Sequence, residues 1–207
     1  MVREDLKERQ ETADRFYALV KRRMKFGSFC LDLASSDGLM FNKGCYRSRM
    51  WSQYAVGHTG ACVVFSKNAM VDCVTKHIGP KGILLNAPVT YKNDRKALFD
   101  LLFFKPGDEW PDEMTRLLEN SQEALFTKVE DFRQEQEFRI CYLPEHYEAT
   151  SAYELVDCSS ALAGVIVGSN LHPSYFETIC SLARKSSIPA FQCKWLNGAP
   201  FIAGIGL

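Results

Sequence analysis

"FRQEQEFRICY", residues 132–142, decides how the chain is read. From Glu135 to Tyr142 polar and apolar side chains alternate with period two, the mark of a strand in which i, i+2 and i+4 project to one side. Glu135, Glu137 and Arg139 are therefore expected on one face, and Gln136, Phe138, Ile140 and Tyr142 on the other, which supplies core. The polar face has two readings. It meets water, with Arg139 neutralising its neighbours in exposed pairs worth ~0–1 kcal/mol. Otherwise it lines a cleft, where two close carboxylates divide labour, one ionised and one with a raised pKa.

Working towards the N-terminus, "WPDEMTRLLENSQEALFTKV" (110–129) and "NDRKALFDLLFF" (93–104) are expected helices, the former opened by Pro111 and acidic residues in its first turn. "ILLNAPVTY" and "ACVVF" read as strands, separated by a polar stretch with helical tendency near 67–77. In "WSQYAVGHTG", Trp51, Tyr54, Ala55 and His58 recur at i, i+3, i+4 and i+7, predicting one face of a two-turn helix ended by Gly57 and Gly60. "FGSFCLDLA" reads as a short strand, and residues 4–25 as an amphipathic helix with a basic end. Towards the C-terminus the pattern is strand (163–168), helix (173–185), strand (188–195), the turn "NGAP", then strand (201–205). The predicted architecture is α+β, with a mixed or mainly antiparallel central sheet flanked by helices. Residues 1–207 read as a single domain, an N-terminal helix (1–26) preceding the core (27–207).

The 207 residues are 46% hydrophobic and 24% charged, a globular composition. Lys plus Arg equals Asp plus Glu at 25 each, so no global field draws the chain to nucleic acid or anionic lipid. The charged N-terminus lacks the apolar stretch of a secretory signal, and the longest apolar run, "ALAGVIVG", is far below the ~20 residues that span a bilayer. A cytoplasmic protein without a membrane partner is expected. Eight cysteines lack the short spacings of metal knuckles, and most sit inside apolar runs, so reduced thiols and no metal are expected.

Three chemistries use a carboxylate pair. A glycosidase usually sets its two carboxylates on different strands across the sugar. A carboxylate metal site wants more oxygen or imidazole ligands than this face offers. Cleavage of a nicotinamide riboside bond passes through an oxocarbenium-like ribose, where one glutamate holds a ribose hydroxyl and its i±2 neighbour activates the nucleophile. The last fits the spacing best. Ser52, Tyr54 and His58 are candidates for contact with nicotinamide or ribose, although Trp51, Tyr54 and Ala55 at helical spacing usually mean core. Lys128 is a candidate phosphate contact, and Arg139 stands with it among the candidate cofactor-binding residues. "GPKG" and "VGSN" match no phosphate-loop pattern and read as turns.

Together "MWSQYAVGHTGACVVF", "VTY", "LFTKVEDFRQEQEFRI" and "GVIVG" resemble a bacterial family, domain of unknown function 2971, from about residue 27 to the end. The family's E-x-E strand is in turn similar to the signature strand of ADP-ribosyltransferases. This second resemblance implies a distant relationship to that fold, with NAD as substrate and no metal. It further implies Glu137 as the catalytic glutamate that orients the ribose, Glu135 as the residue that helps select an acceptor, and Ser52, Tyr54 or His58 towards the nicotinamide. An NAD-dependent ADP-ribosyltransferase or NAD glycohydrolase of the toxin or phage-defence kind follows, with an unidentified acceptor and an antitoxin or other protein as partner. Two departures stand beside it: a single helix replaces the family's longer N-terminal segment, and Phe132 stands where tryptophan is usual. The alternatives are a non-catalytic interaction module on the same fold and a carbohydrate-processing hydrolase.

Overall fold

The computed structural model describes residues 23–33, 43–93, 125–145 and 153–205. These divide into two compact units. One is built from the described parts of Met1–Phe29, Ile78–Arg133 and Glu137–Glu154; the other from those of Cys30–His77, Gln134–Gln136 and Leu155–Leu207.

The first unit holds β1 (Lys25–Cys30), most of which belongs to it. In the second lie α1 (Ser48–Gln53), β2 (Ala61–Phe65) and α2 (Lys67–Ile78). The chain then returns to the first unit for β3 (Gly82–Pro88), β4 (Thr90–Tyr91), β5 (Thr127–Lys128) and β6 (Glu137–Pro144). β7 (Leu162–Val167), α3 (Pro173–Lys185), β8 (Ala190–Leu196) and β9 (Ala199–Gly204) complete the second.

The architecture is α+β, with mixed and antiparallel sheets. Among the described residues the strands do not form one central sheet. They form a three-stranded sheet ordered β1-β6-β3, a four-stranded sheet ordered β2-β7-β8-β9 and the pair β4-β5.

In the first unit β6 is the middle strand, antiparallel to β3 with Asn86 opposite Ile140. An interior strand covered on both faces loses the polar/apolar contrast of a half-buried one. Accordingly Phe138, Ile140 and Tyr142 are buried on one side, and Cys141 and Leu143 on the other, where they pack with Met24, Leu125 and Phe126. The face that begins with Glu137 and Arg139 thus continues into hydrophobic core, and its reading as a water-facing surface is overturned.

In the second unit β7 is interior, antiparallel to β2 and parallel to β8, and its last residues, Gly164–Val167, form one buried run. β8 and β9 form a hairpin whose Asn197 and Gly198 both have positive φ (51° and 77°), the turn that Asn-Gly favours. α3 spans the expected residues. His172 caps it by accepting a hydrogen bond from the Ser174 N–H, and Pro173 sits where a helix does not need its amide.

Two expected elements differ. Thr127 and Lys128 leave the helix expected over 110–129 to pair in parallel with Thr90 and Tyr91. Lys25, the last residue of the helix expected over 4–25, instead opens β1. Residues 1–22 lie outside the described residues, as do most of 93–104 and of 110–129.

Candidate functional site

Glu137 opens β6 with only 6% of its surface exposed. Its amide donates to the Tyr91 hydroxyl (2.8 Å), and its carbonyl accepts from the Val89 N–H (2.8 Å). These bonds set the direction of the side chain. Oε1 accepts from the Ser28 hydroxyl at 2.7 Å and from Arg139 Nε at 2.8 Å. Oε2 accepts from Arg139 Nη2 at 3.1 Å and from Lys128 Nζ at 3.3 Å. Arg139 completes its fork by donating Nη1 to the Leu125 carbonyl, and Lys128 lies 4.5 Å over the Phe132 ring.

Burial works against a charged carboxylate here. The hydrogen bonds of Arg139 and Ser28 and the charges of Arg139 and Lys128 outweigh it and hold Glu137 below the ordinary glutamate range. Glu137 is therefore an anion at neutral pH, able to accept hydrogen bonds and poor at taking up a proton. Of the expected site residues the structure brings Arg139 and Lys128 together on Glu137, and Tyr54 onto Glu135.

Glu135 is not on that face. It ends a 3-10 segment, Glu130–Glu135, and Gln136 follows with φ +46°, a left-handed conformation that breaks the alternation before β6 begins. Polar residues in a tight 3-10 turn gave the strand-like pattern. Glu135 is buried (3% exposed) in the second unit, where the Tyr54 hydroxyl donates to Oε1 at 2.9 Å. Arg47 donates Nη1 to the Glu135 backbone carbonyl (3.2 Å) and to Cys30 Sγ (2.6 Å).

The helix predicted through His58 stops early. α1 ends at Gln53, and Val56, Gly57 and His58 have positive φ (46°, 64° and 71°), so His58 leaves the Trp51–Ala55 face. Trp51 and Ala55 are buried, whereas Ser52 is exposed and Tyr54 is 62% exposed despite its bond to Glu135. His58 sits between two indoles, stacked with Trp51 at 6.1 Å and edge-on to Trp195 at 4.8 Å. The Trp195 Nε1–H donates to His58 Nδ1 (3.1 Å), so the neutral ring carries its proton on Nε2. The "VGSN" turn closes on this loop: Gly168 N–H donates to the Gly60 carbonyl (2.9 Å) and Asn170 N–H to that of His58 (3.0 Å).

Sequence reasoning missed Ser28, Tyr91, Arg47 and Trp195. Tyr91 was visible in "VTY" at the end of a strand; the other three came with no spacing signal, because their partners are remote in sequence. Among the described residues no cluster of three or more His, Cys, Asp or Glu is arranged to hold a metal ion. Nor is any described helix long and apolar enough to cross a membrane.

Residues 50–140 match the model of a family described as Protein of unknown function (DUF2971). The span includes Tyr54, His58, Lys128, Glu135, Glu137 and Arg139, but not Ser28 or Trp195. No curated protein and no solved structure matches the chain.

Proposed function

We propose, from the premise that residues 50–140 carry this family's motifs, that the protein cleaves the nicotinamide–ribose bond of NAD, as an ADP-ribosyltransferase or NAD glycohydrolase on a related fold. One observation carries the reading: Glu137 is a buried carboxylate kept ionised by Arg139, Ser28 and Lys128. In the reaction the C–N bond breaks with its electron pair leaving on nicotinamide, which becomes neutral, while positive charge develops on the ribose. A fixed anion stabilises that charge without needing to accept a proton. Oε2, with the longer contacts of 3.1 and 3.3 Å, is the oxygen to which a ribose hydroxyl would donate. Water or a macromolecular acceptor then bonds to the ribose carbon and loses a proton. Glu135 is assigned to the choice of acceptor, and Ser52, Tyr54 and His58 to the nicotinamide side, on the resemblance alone. A toxin or phage-defence role, with a protein partner, rests on the same ground.

The test is nicotinamide release from NAD by the purified protein, alone and with cell lysate supplying acceptors. Release that disappears in a folded Glu137→Gln variant supports the reading, and release that persists there removes Glu137 from it.

The bidentate Arg139 pair favours a second reading, a non-catalytic module in which Glu137 and Arg139 only tie β6 to its neighbours. That reading expects no NAD binding by calorimetry.

A further inference from the structure

We propose that Cys73 and Cys158 form a peroxide-sensitive dithiol, a modification site in the second unit independent of the NAD reading. α2 presents Ala69, Asp72, Cys73, Lys76 and His77 to an open cavity of about 420 Å³, closed on its other side by Asp157 and Ser160. Cys73 Sγ lies 3.2 Å from the Ser160 hydroxyl. The segment bearing Ser160 is a short 3-10 turn, Ser159–Ala161, anchored at both ends. Ser159 N–H donates to the Asp157 carboxylate (2.9 Å), and the Ala161 carbonyl accepts from the Ser66 N–H (2.8 Å), just before α2. Cys158 occupies the residue before that turn, and its thiol interacts with the side chain of Cys73. Both cysteines are partly exposed.

The two sulfurs divide the work by environment. Burial, then the neighbouring Cys73 and Asp157, push the Cys158 thiol up, which disfavours its thiolate. Cys73 lines the cavity and meets the oxidant first. Its thiolate attacks one peroxide oxygen, the O–O bond breaks, and the departing hydroxide takes up a proton as water, leaving Cys73 as a sulfenic acid. Cys158 sulfur then attacks Cys73 sulfur; the S–O bond breaks and the hydroxide leaves as water with the proton from Cys158. Hydrogen peroxide is reduced by two electrons and two thiols become one disulfide. Elsewhere the thiols are less suited: Cys141, Cys180 and Cys193 are buried, burial pushes Cys62 up to about 12 and Cys45 to about 11, and burial also pushes Cys30 up against the opposing Arg47.

The experiment treats the full chain with hydrogen peroxide and maps its peptides without reduction. A Cys73–Cys158 linked peptide, lighter by two hydrogens and restored by dithiothreitol, is the expected product. In Cys158→Ser the sulfenic acid should accumulate on Cys73, with several-fold more dimedone labelling than in the wild type. Phenylarsine oxide, which bridges close thiols, should bind the unmodified wild type and lose that binding in either serine variant. Wild-type protein in which Cys73 stops at sulfenic or sulfinic acid, or pairs with another cysteine, overturns the proposal. If a serine variant does not fold, the wild-type peptide map still decides.

Discussion

Arg139 and Ser28 make Glu137 a carboxylate whose charge is needed for stability as well as for the proposed chemistry. Replacing Arg139 alone leaves a buried anion short of its main partner. Arg139→Met should therefore cost about 3 kcal/mol, and the double change Glu137→Leu with Arg139→Met should cost less than the single one. Chemical denaturation of the three proteins measures both. Because the folded pKa of Glu137 is depressed, its contribution is fully present above the unfolded value of ~4.3 and is lost as pH falls through the folded value. The gap in melting temperature between wild type and Glu137→Gln should accordingly narrow as the pH is lowered below about 4, and a gap that stays constant would contradict the assignment. At this scale the Glu137–Arg139 pair was legible, since i and i+2 share a face of any strand. The place of Glu135 was not, because a 3-10 turn and one left-handed residue, Gln136, look like strand alternation when only polarity is read.

Elements were most legible where their signals are local. The helix expected over 173–185 is α3, the "NGAP" turn marked the hairpin, and the apolar run marked β7. Tertiary pairing overrode local preference at Thr127–Lys128, drawn into a strand by Thr90–Tyr91. The loop after α1 combined both cases: its glycines announced a break, but not the run of positive φ that turns His58 between Trp51 and Trp195. A Cβ on Gly168 would lie 2.1 Å from the His58 carbonyl oxygen, a backbone atom that cannot yield without moving this loop. Gly168→Ala should thus destabilise the protein by about 1–3 kcal/mol, read as a lower denaturant midpoint at unchanged slope. Trp195→Phe keeps an aromatic ring at this position while removing the indole N–H bond to His58 and part of the ring's volume. Its expected cost is about 1 kcal/mol on the same measurement.

At the scale of the whole molecule the α+β class was legible from the mixture of periodicities, while the sharing of strands among separate sheets was not, because pairing partners are far apart in sequence. The match of residues 50–140 to a family of unknown function leaves activity to be argued from the chemistry of the residues it contains. Of these, Glu137 bears the account, since it is the carboxylate whose surroundings keep it charged at the start of β6. The most direct measurement is nicotinamide release from NAD, with and without lysate, by wild type and by a Glu137→Gln variant shown to be folded by circular dichroism. The account predicts release by the wild type and a loss of about 10²-fold or more in the variant. Absence of release from the wild type in both conditions, or equal release by the two proteins, would contradict it.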